Sequence, residues 1–462
     1  MNAPSSTKNR TLISSQKENK LASAIDVAKE FDIAGASKNL GGPQWLQDRR
    51  KTFVKELNSI SFPSASEEQW RYSDIDNFKL NDYRALTIEE IGNPGDSFSP
   101  GGGILAAQAG ENAGLIVMKN GRVVHYKLEE SLVDKGVLVM PIAELDGANL
   151  ELCQKYLGNV VEKTSDTFSV LTEAMSCGGA FLYVPKNVVI EKPIIVLHWR
   201  EGEGTAAFPR TLVVAEESSS VNVIERFESS NEKLFISSVT ECVVKANASV
   251  KFLTIQENGK NTFHVGVHRT NIDADARFDS STVALGSKYA RNRSEVVLAG
   301  KGATSKVVAV YYGDSEQVLD FRTYQDHVSE YTHSDLLFKG AVEQHAKSIY
   351  SGLIRIREGA QHSKAYQTNR NLVLDHGAQA ESIPNLVIEA NEVQCSHGST
   401  VGPIDEEQMY YLQTRGVSKA EAERLIVLGF FEDVFSRLSI PSLIEPLRIS
   451  VKEKLASLSV EK

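Results

Sequence analysis

Cys395 and His397, a cysteine and a histidine one residue apart, are the pair of side chains best suited to chemistry in this 462-residue chain. On a β-strand, residues i and i+2 project from the same face, so thiol and imidazole would lie side by side. Three interpretations of this pair are possible. It could bind iron, zinc or copper, or it could act as a Cys–His nucleophile pair. In the third interpretation, both side chains are buried as core residues. An iron–sulfur cluster usually takes four protein ligands, so a cluster held here requires further ligands from another chain.

Several other chemical motifs are absent from the sequence. The chain has no G-x-x-x-x-G-K-[ST] phosphate loop, no H-E-x-x-H, no G-x-S-x-G and no C-x-x-C motif. Residues 101–106 (GGGILA) match G-x-G-x-x-A, but they follow Pro-rich polar residues and not a strand. We therefore expect no ATP hydrolysis by this chain through a phosphate loop, and energy for any driven process has to come from a partner.

Composition excludes two further classes. Fifty Lys and Arg against sixty Asp and Glu leave a net charge of −10 with no basic stripe, which argues against nucleic-acid binding. The apolar stretch without charges at residues 174–185 is too short to cross a bilayer. The first twenty residues contain no apolar block, and the four cysteines lie far apart. The sequence thus predicts a cytoplasmic protein without membrane association, with an organelle stroma left open.

The elements that must position the Cys–His pair change in character along the chain. Residues 1–167 are predicted as a helical and mixed N-terminal region, residues 168–403 as the β core and residues 404–462 as a helical C-terminal domain. In the core, small residues precede new strands at Ser220, Ala248, Ala276 and Ala303, at nearly equal spacings, and Gly-Ala pairs then recur at a shorter spacing. Regular spacing of this kind is typical of a solenoid. We predict a mainly β fold, a right-handed parallel β-helix flanked by helices, with an antiparallel sandwich as the alternative.

The C-terminal region is predicted to form a pair of helices with a wide apolar face. Asp405 caps the first helix, which stops at Gly416, and the second carries Leu425 and Phe430. Residues 405–438 contain seven acidic and four basic residues, a net charge of −3 that disfavours a DNA-binding helix pair. The apolar face is larger than two helices can bury against each other, so it packs on the body or binds a partner.

Longer runs around these residues resemble a known family. The runs are residues 395–402 (CSHGSTVG), 405–408 (DEEQ), 384–388 (PNLVI), 368–371 (TNRN) and 70–74 (WRYSD), together with Tyr411-Leu412 and Arg415-Gly416. They are similar to the pattern of the SufB/SufD family of iron–sulfur cluster assembly proteins, and specifically to its SufD branch. The resemblance covers most of the chain and is strongest between residues 350 and 438. The lack of a cysteine between Cys242 and Cys395 favours that branch over SufB.

The resemblance implies a function, partners and site residues. It implies a non-catalytic scaffold subunit that assembles iron–sulfur clusters with a SufB-like paralogue and a SufC-like ATPase, and a homodimer is the assembly left open for the isolated chain. His397 would be the cluster-assembly and metal-binding residue, and Cys395 would either share that role or be a structural thiol. No cofactor would be bound permanently, and the cluster would form transiently at the interface with SufB. Residues for ATPase binding would be Asp405, Tyr411, Arg415, Leu425 and Phe430.

Two alternatives to this function remain open at the sequence level. The first is a purely structural β-helix subunit, in which His397 is only an interface residue. The second is a carbohydrate-active β-helix enzyme, such as a lyase or an esterase, which would need a cleft lined with acidic and aromatic side chains.

Overall fold

The computed structural model describes residues 32–73, 75–91, 112–160 and 166–457. Nine α-helices lie in these residues: α1 (Ile33–Asn39), α2 (Gln44–Leu57), α3 (Ile88–Ile91), α4 (Glu130–Val133), α5 (Gly147–Tyr156), α6 (Thr167–Met175), α7 (Glu406–Thr414), α8 (Lys419–Phe435) and α9 (Ile444–Ser457). Single 3-10 turns occur at Glu68–Trp70, Ile75–Asn77, Leu80–Asp82, Ile142–Glu144 and Pro441–Leu443. Within the described residues, no helix is both long enough and apolar enough to cross a bilayer.

Two large sheets form the body of the protein. The first sheet has eleven strands: β1 (Arg84–Ala85), β4 (Leu138–Pro141), β5 (Ala180–Val184), β7 (Thr205–Ala207), β8 (Arg210–Ala215), β10 (Leu234–Val244), β12 (Thr262–Ile272), β14 (Tyr289–Leu298), β16 (Val318–His327), β18 (Lys347–Ile356) and β20 (Gln379–Ile388). The second has ten: β2 (Gly114–Lys119), β3 (Arg122–Leu128), β6 (Ile194–Arg200), β9 (Ser220–Ser229), β11 (Ser249–Glu257), β13 (Arg277–Ala284), β15 (Thr304–Gly313), β17 (His333–Val342), β19 (Lys364–Val373) and β21 (Gln394–Gly402).

From β8 onward the chain alternates between the two sheets, so that each strand pairs in parallel with the strand two further along. About eight coils stack in this way. The predicted mainly β fold, a parallel β-helix with helices at both ends, is confirmed. The boundary predicted between residues 167 and 168 falls in the first turn of α6, and the boundary between 403 and 404 falls between β21 and α7.

A repeated corner explains the spacing of the small residues. Asn247, Asp275 and Gly302 have φ values of 58°, 55° and 73°. Each is followed by a fully buried alanine, Ala248, Ala276 or Ala303. Asn, Asp and Gly tolerate this left-handed conformation, and the small residue after them fits the tight interior of the turn. The same corner continues at Tyr331-Thr332 and His362-Ser363.

The predicted change to a shorter spacing, marked by Gly-Ala pairs, is wrong. Register partners in the second sheet are Ser220, Ser249, Arg277, Thr304, His333, Lys364 and Gln394, so the length of a coil stays nearly constant to the last strand. Gly340 lies inside β17, where a side chain would collide with the ring of Tyr311. This glycine is therefore required by packing in the interior and does not mark a coil boundary.

The three largest apolar clusters of the described residues hold the protein together. One fills the interior of the β-helix, and Val250, Phe252 and Phe278 belong to it. A second joins the N-terminal helices to the outer face of the first sheet. The third joins α8 and α9 to the outer face of the second sheet. Burial of apolar surface on both outer faces fixes the helical regions on the β-helix.

Candidate functional site

The Cys–His pair lies on β21, the last strand of the second sheet. Cys395 pairs in register with Ala365, and His397 pairs with Gln367. Ala365 and Gln367 are buried in the interior of the β-helix. Because side chains in register project from the same face of a parallel sheet, Cys395 and His397 both face the interior side of the final coil. Their predicted projection from one face is thus what the strand geometry produces.

The final coil is open at its end. No described strand pairs with the outer edge of β20 or of β21, so residues that would be buried in an inner coil are exposed in this one. Ile388 is in register with the buried Ile356 of β18, yet it is nearly half exposed, and Val401 of β21 is exposed to a similar extent. A 2.6 Å hydrogen bond between the hydroxyls of Ser399 and Ser382 joins the two strands across the coil. The open end therefore combines unpaired strand edges, apolar side chains and the exposed imidazole of His397.

Cys395 and His397 differ in their surroundings. The Cys395 side chain packs with an apolar cluster that contains Ile354, Ile356 and Ala365, and burial raises the pKa of its thiol. A protonated thiol is a weak nucleophile and must lose its proton to bind a metal. His397 is exposed and makes no hydrogen bond or ion pair to any described residue. The imidazole is thus exposed at this end without a hydrogen-bond partner among the described residues.

The other three cysteines also lie in apolar surroundings. Burial raises the pKa of Cys153 to about 12 and that of Cys177 to about 11, and it raises the pKa of Cys242 further. All four cysteines are unpaired thiols. Among the residues that the structure describes, no three His, Cys, Asp or Glu side chains are arranged to hold a metal ion.

The residues predicted for partner binding separate into two groups. Tyr411 and Leu425 are 58% and 44% exposed, and Arg415 is exposed with its guanidinium 5.3 Å from the Tyr411 ring centroid. Asp405 caps α7, and its carboxylate accepts from the backbone N–H of Glu407 at 2.8 Å. No residue of α7 is buried, so this helix presents nearly its whole surface to solvent.

Phe430 and most of the apolar face of α8 have a different role. Val427, Phe431 and Val434 are buried against the second sheet. Phe430 is half-buried, its carbonyl accepts from Lys339 Nζ at 3.0 Å, and this ammonium lies 4.8 Å from the Phe430 ring centroid. Of the two interpretations of the wide apolar face, packing on the body accounts for most of it. The surface that remains available to a partner consists of Tyr411, Leu425 and the exposed side of α7.

Residues 70–73 of the N-terminal run WRYSD contact the β-helix. Trp70 is buried, and the guanidinium of Arg291 lies 3.7 Å from its ring centroid. The carbonyl of Tyr72 accepts a hydrogen bond from Lys347 Nζ at 2.7 Å. Asp74, the last residue of the run, lies outside the described residues. These contacts give the motif a structural role in docking the two regions.

Sequence reasoning missed Gln367, the register partner of His397, and Ser382, which joins β20 to β21 through Ser399. Gln367 precedes His397 by one full coil and Ser382 by half a coil, and neither belongs to a recognisable motif. The constant length of the coils was the signal that could have found Gln367. That signal was lost when the Gly-Ala pairs were taken to mark shorter coils.

Comparisons with known proteins give two family matches that together span most of the chain. Residues 198–430 match the SufBD core domain of the SUF system for FeS cluster assembly, and residues 38–196 match the SufBD protein N-terminal region. The iron–sulfur cluster assembly protein SufD of Bacillus subtilis is 27% identical over 441 residues, which cover 94% of this chain and 99% of the relative. An iron–sulfur cluster assembly SufBD family protein of Staphylococcus epidermidis is 27% identical over 423 residues, covering 90% and 91%. A SufBD family protein of Staphylococcus aureus is 27% identical over 416 residues, covering 88% and 89%.

Proposed function

Because the chain belongs to the SufBD family of iron–sulfur cluster assembly proteins, we propose that it is a scaffold subunit that builds clusters at the open end of its β-helix. The observation that carries this proposal is the exposed, inward-facing His397 on the last strand of an uncapped coil. A neutral imidazole is a good iron ligand through the ring nitrogen that carries the free lone pair. In this role His397 binds iron of the nascent cluster, which is the substrate of the process.

The remaining cluster ligands come from a second β-helix. The unpaired edges of β20 and β21 offer backbone N–H and C=O groups, and an exposed strand edge is a template for pairing with another chain. A SufB-like paralogue whose own open coil meets this end would bury Ile388 and Val401 and bring its ligands to His397. The cluster would be transient at this interface, with no cofactor held permanently by the chain. A homodimer through the same edges is the competing assembly for the isolated chain.

A SufC-like ATPase supplies the energy in this proposal. It would dock on α7 and the adjoining surface of α8, where Tyr411, Arg415 and Leu425 are exposed. Asp405 and Phe430 would support this surface, the first as the cap of α7 and the second as part of the junction between α8 and β17. The chain itself would be non-catalytic and would act in a reducing compartment such as the cytoplasm.

The test is to replace His397 by alanine in the complex of the three subunits. His397 is exposed and makes no hydrogen bond to any described residue, so His397→Ala should leave the unfolding free energy and complex formation unchanged. Cluster formation, followed by absorbance and by iron and sulfide content, should fall at least ~10-fold. His376→Ala, at a histidine in the turn between β19 and β20, is the matched control and should retain the normal yield. A normal cluster yield for His397→Ala would leave a purely structural subunit as the function.

A further inference from the structure

Two buried glutamines in the last coils have side-chain amides without partners. Gln325 and Gln367 are 0% and 1% exposed. Neither the nitrogen nor the oxygen of either amide hydrogen-bonds to any described residue. Leaving a buried polar group unpaired is unfavourable, so an amide of this kind in a folded protein needs an explanation.

Only one of the two amides is in register with the cluster-assembly histidine. Gln367 on β19 pairs directly with His397 on β21, whereas Gln325 on β16 pairs with Ile354 on β18. Adjacent strands lie about 4.8 Å apart, and in-register side chains stack on the same face. A glutamine side chain is long enough to bridge that separation and reach the imidazole above it.

The interior is shaped to accommodate the Gln367 amide. Gly352 on β18 has no side chain, and a methyl group there would lie 2.5 Å from Gln367 Nε2 and 2.6 Å from the Tyr350 hydroxyl. Both distances are shorter than van der Waals contact allows. The Tyr350 hydroxyl also lies 3.1 Å from Thr323 Oγ1. Gly352 thus leaves room for a polar group that has no partner in its own coil.

We propose that Gln367 is a positioning residue for His397. Rotation about its terminal torsions brings the amide oxygen Oε1 to the imidazole, where it accepts the hydrogen bond of one ring N–H. This bond gives the buried amide a partner and holds the ring in one orientation. The proposal rests on the assembly role of His397 proposed above.

The chemical consequence concerns which ring nitrogen is available to iron. A neutral imidazole carries one N–H and one nitrogen with a free lone pair, and the hydrogen bond made by the first decides which nitrogen is the second. A carbonyl oxygen accepts and cannot donate, so Oε1 selects the tautomer whose N–H points into the coil. The lone pair then points toward the open end, where substrate iron would arrive. Partners of this kind orient metal-binding histidines in many sites.

The test measures the tautomer of His397 in the full chain by nitrogen NMR after labelling of the histidines with 15N, with His397→Ala to identify its signals. A hydrogen bond worth about 1 kcal/mol changes a population ratio about fivefold. Gln367→Leu should shift the tautomer ratio of His397 by that factor.

Gln325→Leu is the matched control. It removes an equally buried, equally unpartnered amide that is out of register with His397, so it should leave the tautomer ratio unchanged. Both leucine variants should fold, because replacing an unpaired buried amide by an apolar group of similar size removes an unfavourable burial. An unchanged ratio in Gln367→Leu, or an equal shift in Gln325→Leu, would overturn the inference.

Failure of this inference can be told apart from failure of the proposed function. If Gln367→Leu shifts the tautomer while His397→Ala retains full cluster yield, the positioning contact stands and the assembly role falls. If His397→Ala abolishes cluster formation while Gln367→Leu leaves the tautomer ratio unchanged, the assembly role stands and the positioning contact falls. When both hold, Gln367→Leu should also lower the rate of cluster formation.

Discussion

At the scale of single residues, the half-buried thiol of Cys395 contrasts with the exposed imidazole of His397. Burial in the cluster of Ile354 and Ile356 raises the pKa of this thiol, so little thiolate is present at neutral pH. We expect Cys395 in the folded chain to be alkylated by iodoacetamide at pH 7.5 at least ~5-fold more slowly than in the chain unfolded in urea. Peptide mass spectrometry after timed quenching measures both rates. Equal rates in the two states would contradict the raised pKa, and a faster rate in the folded chain would show an activated thiol and make Cys395 a second chemical group of the site.

At the scale of elements, the exposed surface of α7 and α8 is predicted to bind the ATPase. Leu425→Asp places a charge in the middle of that surface and should weaken ATPase binding at least ~10-fold, a loss of about 1.4 kcal/mol. Ile449→Asp is the matched control, because Ile449 on α9 is 48% exposed, close to the 44% of Leu425. Calorimetric titration of the ATPase into each variant gives the comparison. Equal weakening by both variants would contradict the assignment of the surface to α7 and α8.

Deletion of the C-terminal helical domain is a poor test of whether α7 and α8 bind the ATPase. Val427, Phe431 and Val434 of α8 belong to one apolar cluster with residues of the second sheet, among them Val308 and Val310. Deleting residues 405–462 would expose that face to water and destabilise the β-helix itself. Single substitutions at exposed positions separate partner binding from folding.

The turn between α7 and α8 depends on Gly416. Its φ of 87° is strained for other residues, and a methyl group there would meet nothing within 4 Å. Gly416→Val should therefore distort the turn through its backbone alone, at about 1–2 kcal/mol, whereas Gly416→Asn should be tolerated. Since α7 has no buried residue, the turn largely sets its direction. We expect ATPase affinity to fall for the valine variant only. Equal affinities for the two variants would show that the turn does not orient α7.

At the scale of the whole molecule, the β-helix should lose stability in mild acid. Burial lowers the pKa of His264 to about 3 and those of His268 and His327 to about 4. The unfolded chain takes up these protons near pH 6.5, and the folded chain does so only at lower pH. The stability that these neutral, buried histidines contribute is therefore fully present above pH 6.5 and is lost as the pH falls toward 4. Each histidine contributes a slope of about 1.4 kcal/mol per pH unit within that window.

Urea unfolding at several pH values between 7 and 4 measures this dependence. His327 is fully buried, and its two ring nitrogens lie 2.7 Å and 2.8 Å from the hydroxyls of Thr332 and Ser334. His327→Gln keeps polar atoms near these hydroxyls and removes the titrating group. The slope of unfolding free energy against pH should therefore fall by the contribution of one histidine, about 1.4 kcal/mol per pH unit. His376→Gln, in the turn between β19 and β20, is the control and should leave the slope unchanged. An unchanged slope in His327→Gln would contradict the prediction that His327 is buried in its neutral form.

The parallel β-helix and the shared face of Cys395 and His397 could be predicted from the sequence alone. Both follow from local rules: a left-handed residue with a small buried neighbour makes each corner, as at Asn247-Ala248, and alternate residues of a strand share a face. The caps at Asp405 and Gly416 followed equally from local chemistry, because a helix end needs only a nearby acceptor or a residue with positive φ.

Three features could be seen only in the folded chain: which coil is open, which residue lies beneath His397, and where the apolar face of α8 packs. Parallel pairing brings together residues a full coil apart in the sequence, such as Gln367 and His397, and no local pattern records that register. The coil length depends on turn geometry, which Tyr331-Thr332 supplies as well as Gly302-Ala303 does. A search for Gly-Ala pairs therefore missed corners without glycine and counted the interior Gly340 as a corner. An apolar helix face looks the same in sequence whether it covers a sheet or a partner, because burial depends on what lies opposite.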